Sequence, residues 1–572
     1  MNALHDEGGK RLQADYVIVG AGTAGCVLAN RLSEDGRYSV LLIEAGGADR
    51  HPFIHIPAGF TRLLNHPGVT WGYKTAADPH TANREILFPR GRGLGGSSSI
   101  NGLLYVRPFK EDIDAWAKAG ADGWSFDNCL AYYARSETWR EGSSQVRGNA
   151  GPVQIARVPY PPEICARVVQ AGQQLGLEFL DDPNSDTRGP SVWYYQQTRD
   201  GRRRSSAARA YLRPALQRPN LRVLTRAQVE RIVLEGKVAT GVTCRLHGGE
   251  RVTVQAGREL ILAGGVIGTS TLLERSGIGD PDVLANAGIR PLHTLRGVGA
   301  NFQDHYVVRL CYRLQGVGTA NERSHGLALL GEIAKYLTSS KGILTYSAAV
   351  VGGFVSSGLD TRPDVQFVLA PGSFQAGRIG QLETEPGISC GVWQMRPESR
   401  GSVHVVSADP DQAPLIAPHY LSSDLDRRTL IAGLRIGRRL FEQPALASCV
   451  VSETLPGSQA QSDESLLQYG RDNGSTVYHA VGTCRMGEDD MAVVDSALRV
   501  RGLERLRVID GSIMPTMTST NTNATVLMIA ERAADLLLNR LATVPGTGIH
   551  ALRTAMPPSH PVAVTVSRSH AP

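Results

Sequence analysis

The sequence predicts an α/β protein with a parallel, Rossmann-like sheet in one domain and a mixed β-sheet in a second. Three observations carry this. A β-branched run meets a glycine-rich turn and then a helical segment near the N-terminus; short apolar runs bounded by turn residues recur through the middle; and 572 residues exceed what one hydrophobic core usually serves.

The N-terminal unit is the sharpest. Tyr16-Val17-Ile18-Val19 reads as a buried parallel strand. It runs into Gly20-Ala21-Gly22-Thr23-Ala24-Gly25, followed by Ala24, Leu28 and Leu32 at helical spacing. A second apolar run, Val40-Leu41-Leu42-Ile43, ends in Glu44 and Ala45. Strand, Gly-x-Gly-x-x-Gly, helix, strand and acid in that order form a dinucleotide site. Gly20 permits the turn, Gly22 lets backbone approach a pyrophosphate, and Gly25 lets helix and strand pack closely. The helix N-terminus offers free N–H groups to phosphate, and Glu44 is placed to accept from ribose hydroxyls. An acid there disfavours a 2′-phosphate.

Composition narrows the rest. The net charge of +6, from 60 basic and 54 acidic residues, is dispersed and gives no footing for nucleic acid. The local run Arg202-Arg203-Arg204 reads as a solvated loop. Eight cysteines without a CxxC pair argue against a zinc site and a disulfide framework, so no metal is expected and the thiols read as buried apolar groups in a reducing compartment. The first residues lack the apolar core of a signal peptide, and no apolar stretch approaches the ~18 residues of a membrane span. Together these predict a cytoplasmic protein, with peripheral membrane attachment left open.

Residues 89–107 read PRGRGLGGSSSINGLLYVR. Glycines here let main chain lie flat beside a planar ring, with N–H groups and hydroxyls free to bond its edge. With Gly91, Leu94, Gly95, Gly96, Ser97, Ser98, Asn101 and Gly102, this segment resembles the first signature of the glucose–methanol–choline (GMC) oxidoreductases. A second signature is similar at Gly265–Gly279, entered by the strand-like Glu259–Gly264; Ser270 stands where the family usually has Pro, and Ser also suits a helix start. Further matches lie in VGANFQDH at 298–305, TVYHAVGTCRMG at 476–487 and the stretch 506–537, so the resemblance spans roughly residues 14–540.

The resemblance implies FAD as cofactor, with Val229 near the adenine and Asp510-Gly511 near the ribityl or pyrophosphate. Relatives that tether FAD covalently carry a histidine where this chain has Ile100, so the FAD is expected to be non-covalent. The implied reaction is oxidation of an alcohol, with oxygen or a quinone-type compound as acceptor. It needs a base near working pH, which imidazole supplies, and of the fifteen histidines His479 stands in the family motif. Asn521, in the turn Thr520-Asn521-Thr522-Asn523, corresponds to the partner that holds the substrate oxygen, and Asn523 to the helix cap; Asn521 as a cap is the structural alternative.

The flavin domain is expected to be discontinuous (12–160, 215–310 and 465–540), with 161–214 and 311–464 forming the substrate domain and 543–572 a disordered tail. Pro363–Leu369 and Gly401–Val406 read as strands of its mixed sheet. Trp71 and Trp393 are candidates for the cavity wall or for plain core. A primary alcohol, aliphatic or benzylic, is the default substrate. The alternatives on the same scaffold are a hydroxynitrile-lyase type enzyme, a fatty-acid photodecarboxylase and a non-catalytic flavoprotein.

Overall fold

The computed structural model describes residues 12–142, 146–185, 189–375 and 381–540; the expected tail therefore lies outside the described residues. Two large sheets organise the chain.

The first begins with β1 (Leu12–Val19), α1 (Thr23–Leu32) and β2 (Val40–Glu44). β1 pairs in parallel with β2 on one side and with Arg251–Leu262 on the other; Leu221–Thr225 extends the sheet beyond β2. Leu506–Val508 adds in parallel to the end of Arg251–Leu262, and two antiparallel strands, Val238–Arg245 and Gln228–Glu235, complete seven. Every residue of β2 is buried, as a parallel strand covered on both faces requires. α1 packs on the C-terminal Asn523–Leu537 helix, so the two ends of the described chain close one core.

The second sheet is mixed. Its order is Val450–Leu455, Tyr306–Leu314, Gly387–Gln394, Val365–Ala370, Val351–Val355, Ser191–Tyr194 and Glu178–Phe179, with Ser475–Thr476 paired to the start of Tyr306–Leu314. Strand alternation sorts its side chains. Val308, Leu310 and Tyr312 join Ile388, Cys390 and Val392 in a core closed by Leu430 and Leu434 of the Asp424–Phe441 helix. Each such buried aliphatic side chain contributes about 1.5–3 kcal/mol. The intervening Val307, Arg309, Cys311, Ser389, Gly391 and Trp393 face a cavity between the two sheets.

Two sequence expectations are corrected here. Ser402–His404 does not join the mixed sheet; it pairs with Leu415–Ala417 as a separate two-stranded ribbon. Ser270 does not start a helix: it lies inside Gly265–Arg275, where its hydroxyl bonds back to the Val266 and Ile267 carbonyls. All eight cysteines are buried and unpaired.

Candidate active site

The cavity has a volume of about 1020 Å³, at the upper end of the ~300–1,000 Å³ of small-molecule sites. One end is the glycine turn. Gly20 has φ +103°, and a Cβ there would stand 2.6 Å from the Ala263 carbonyl oxygen. A Cβ on Gly25 would stand 1.9 Å from the Gly20 oxygen, so Gly25 lies behind the turn and lets α1 seat on it. Gly22 lines the cavity, and the nearest atom to an added Cβ is 3.9 Å away. No side chain caps α1 and its first turn holds no acid, which leaves its N–H groups and positive dipole end open to phosphate.

Glu44, Ala45 and Val229 also line this end. Burial pushes the Glu44 carboxyl above its ordinary range, opposed by bonds from backbone N–H groups. Oε2 accepts from Ala21 N at 2.8 Å and Oε1 from Gly46 N at 2.8 Å, so Glu44 braces the turn as well as facing the cavity. Each oxygen keeps a second lone pair for a ribose hydroxyl.

The loop 91–102 folds back onto the turn: Gly95 N donates to Ala21 O at 2.8 Å and Leu94 N to Gly47 O at 3.0 Å. A Cβ on Gly96 would meet Gly22 Cα at 2.7 Å, and one on Gly91 would meet Gly96 O at 2.2 Å. Gly91, Gly96, Ser97, Asn101 and Gly102 line the cavity, while Gly95 sits behind them. Sequence reasoning missed what holds this loop. Arg204, placed in a solvated run, is buried; it donates to Ile54 O at 2.9 Å, to Asn101 O at 2.8 Å and to Asn101 Oδ1 at 2.7 Å. Burial pushes its guanidinium down to about 9. Arg202 is half-buried and Arg203 exposed, so the run is split by depth.

Asp510 ties the C-terminal 506–537 stretch to the second signature. Its Oδ2 accepts from Gly265 N at 2.8 Å and Thr269 Oγ1 at 2.6 Å, and its Oδ1 from Ser512 N at 2.8 Å. Both Asp510 and Gly511 reach the cavity wall. Helix-terminal N–H groups, a buried acid and glycine backbone at one end, and an apolar sheet at the other, fit an elongated dinucleotide. Ile100, at the tether position, is buried in the wall against Ile54 and Leu63 and carries no nucleophilic atom.

Beneath the mixed sheet the cavity meets His479 and Asn521, with Asn521 Nδ2 3.0 Å from His479 Nε2. Asn521 Oδ1 is buried without a protein partner. The expected cap is corrected: Thr522 is the N-cap residue, and Asn523, the first helical residue, accepts from the Thr23 hydroxyl at 2.9 Å. Trp71 and Trp393 both line the cavity, Trp393 with its ring 6.2 Å from that of His479.

His305, which the sequence left unassigned although it ends the VGANFQDH segment, fixes the proton positions. Its Nε2 lies 2.9 Å from the Met395 carbonyl, which only accepts, so Nε2 carries the hydrogen. In the neutral ring Nδ1 is then an acceptor, and it lies 3.0 Å from His479 Nδ1. His479 must therefore hold its proton on Nδ1 and present a lone pair at Nε2, toward Asn521. Burial pushes His305 down to about 4. His479 is held well below the usual histidine range, by burial first and then by His305 and the Arg90 guanidinium. Asp304 fixes the backbone of both histidines: its Oδ1 accepts from His479 N at 2.8 Å and His305 N at 3.0 Å.

Fold and cavity together are those of a flavoprotein oxidoreductase. Two family profiles, both described as GMC oxidoreductase, match residues 14–307 and 397–530. The chain belongs to the GMC oxidoreductase family, and its cofactor is FAD. It is 38% identical over 539 residues to an alcohol dehydrogenase [acceptor] of Pseudomonas putida, covering 92% of this chain and 96% of that protein. It is 39% identical over 546 residues to an oxygen-dependent choline dehydrogenase of Cronobacter sakazakii, at 92% and 96% coverage. Among solved structures, pyridoxine 4-oxidase from Mesorbium loti superposes with a TM-score of 0.82 at 31% identity, covering 92% of this chain and 99% of that one.

Proposed function

We propose that the enzyme oxidises an uncharged primary alcohol, aliphatic or benzylic, to the aldehyde, with His479 as base and Asn521 holding the substrate oxygen. The observation that carries this reading is the lone pair of His479 Nε2 beside the Asn521 amide, at the end of the cavity roofed by the mixed sheet. FAD, when bound, supplies the two-electron acceptor for the hydride. The chain's own residues do the rest. Asn521 Nδ2 donates to the alcohol oxygen and steadies its developing negative charge. His479 Nε2 takes the hydroxyl proton, and the His305–Met395 bonds keep the ring from turning or changing tautomer. Val307, Trp393 and their neighbours on the sheet exclude water.

Arg90 favours a neutral substrate over a cationic one. Its buried guanidinium lines the same cavity and donates to Tyr478 O at 2.8 Å, next to His479, where it repels a second cation. Two relatives carry alcohol and choline in their names; a cation beside the base supports the first of these readings for the present chain.

The test is an anaerobic titration of the yellow protein with a panel of neutral alcohols and choline, read as flavin bleaching. Bleaching by a neutral alcohol is the expected result, and the rate of recolouring in air then separates oxygen from a quinone-type acceptor. No bleaching by any alcohol, with the flavin still reducible by dithionite, overturns the proposal in favour of a lyase. Repeated across pH, the bleaching rate should stay flat through neutrality and fall only below about 6.5. The sign follows from the depressed His479: a base is lost below its pKa, so a lowered pKa moves the acid limb downward. A limb centred above neutral pH would contradict the assignment.

Ile100 supports non-covalent FAD. Acid precipitation should leave a colourless pellet and a yellow supernatant; a yellow pellet would reveal a tether elsewhere.

A further inference from the structure

The Gly326–Ser339 helix leaves leucines in the open while it buries polar groups beside the half-buried Leu329 and Ile333. Its buried side chains are Glu332 and Tyr336. Glu332 accepts from Ile343 N at 2.9 Å and from Lys335 Nζ at 2.7 Å, and the Tyr336 hydroxyl donates to Arg202 O at 2.8 Å. Leu327, Leu330 and Leu337 point outward, 86%, 60% and 56% exposed, with Ala334 between them on the same face. A water-facing helix carries the opposite pattern, and a contiguous apolar face of this kind marks a contact surface.

The rim is basic. Arg202 donates to the Leu337 carbonyl at 2.6 Å, Lys341 sits 4.0 Å over the ring of Tyr160, itself 64% exposed, and Arg203, Arg323 and Lys335 lie alongside. The carboxylates among these five cations are engaged: Asp200, opposite Arg203 across the ladder, pairs with Arg209. Glu332 is turned inward, and Glu322 is engaged by Thr319.

We propose that this face docks the enzyme on an anionic lipid bilayer, the leucines entering the acyl boundary and the cations meeting the headgroups. Tyr160, apolar in body and polar at its tip, suits the boundary itself. A second copy of the chain fits poorly, because two-fold pairing would set one basic rim against another. Residues 541–572 fit no better: they carry two arginines and no Asp or Glu. The helix packs on Ile343–Thr345, from which the chain runs to Ala348 and Ala349 in the cavity wall, so docking would bring that wall close to lipid. This inference does not depend on the identity of the substrate.

The experiment is co-sedimentation of the FAD-loaded full chain with phosphatidylcholine vesicles, with and without about one-third phosphatidylglycerol. Binding to the anionic vesicles should be about tenfold or more stronger, weaken with salt, and fall about tenfold or more in Leu327→Asp/Leu330→Asp/Leu337→Asp. That variant should keep its flavin, its melting temperature and its activity on a water-soluble alcohol, since none of the three lines the cavity. A Leu330→Cys variant carries the only exposed thiol among the described residues, so a polarity-sensitive label can report the face directly. Its emission should shift to the blue only when anionic vesicles are added. Equal binding by the triple variant, no binding to anionic vesicles, or a blue-shifted label without vesicles would each overturn the proposal, the last because another part of the chain or a second copy then covers the face.

Discussion

Replacing His479 with alanine is expected to lower kcat by about 10²–10⁴ while the protein purifies yellow and melts at nearly the same temperature. The side chain touches Asn521 and His305, whereas the bond that anchors its segment runs from its backbone N–H to Asp304 and survives the change. Activity and fold are therefore separable at this position. Stopped-flow bleaching measures the loss, and the flavin spectrum of the same sample provides the control. A variant that turns over at the wild-type rate would place the base elsewhere and reopen the non-catalytic reading.

The second large effect comes from the glycine turn, where two substitutions of identical chemistry should fail differently. In Gly25→Ala the new methyl meets the Gly20 carbonyl oxygen at 1.9 Å, a main-chain atom with no rotamer to swing aside, so α1 must leave its strand. The cost should exceed the ~1–3 kcal/mol of ordinary overpacking, and the expected product is colourless, with a lowered melting temperature or little soluble protein. In Gly22→Ala the methyl meets no protein atom within 3.4 Å and points into the cavity. The apo-protein should melt normally and bind FAD about tenfold or more weakly, a loss of roughly 1.4 kcal/mol or more. Flavin fluorescence titration and thermal melting distinguish the cases. Wild-type FAD affinity in Gly22→Ala would mean that the pyrophosphate does not cross this turn.

What could be read in advance was what depends on neighbours in sequence. The glycine turn, β1 and β2 are one continuous segment, and the steric reasons for Gly20, Gly22 and Gly25 are local, so the residues alone give the geometry. His479 and Asn521 were reached through motif resemblance, and the structure sets them 3.0 Å apart. His305 escaped because its part arises only when Tyr306–Leu314 brings its ring against His479, 174 residues away. Arg204 escaped for a related reason: a run of three arginines reads as solvent-facing, and what draws one of them inward is the carbonyl oxygens of a loop a hundred residues earlier. Asn523 shows a local rule overridden, because its side chain meets Thr23 of the opposite terminus instead of capping its own helix.

The alternation along Tyr306–Leu314 and Gly387–Gln394 also bears on how such an enzyme diversifies. Even-numbered residues from Tyr306 to Leu314 and from Ile388 to Val392 are committed to the packed core, and the ladder between the strands is made by backbone, indifferent to side-chain identity. Odd-numbered residues such as Val307, Cys311 and Ser389 face the cavity, Cys311 Sγ and Ser389 Oγ forming one contact 3.4 Å long. Selection, or a combinatorial library restricted to those positions, can therefore reshape substrate preference by single steps while the scaffold keeps its register.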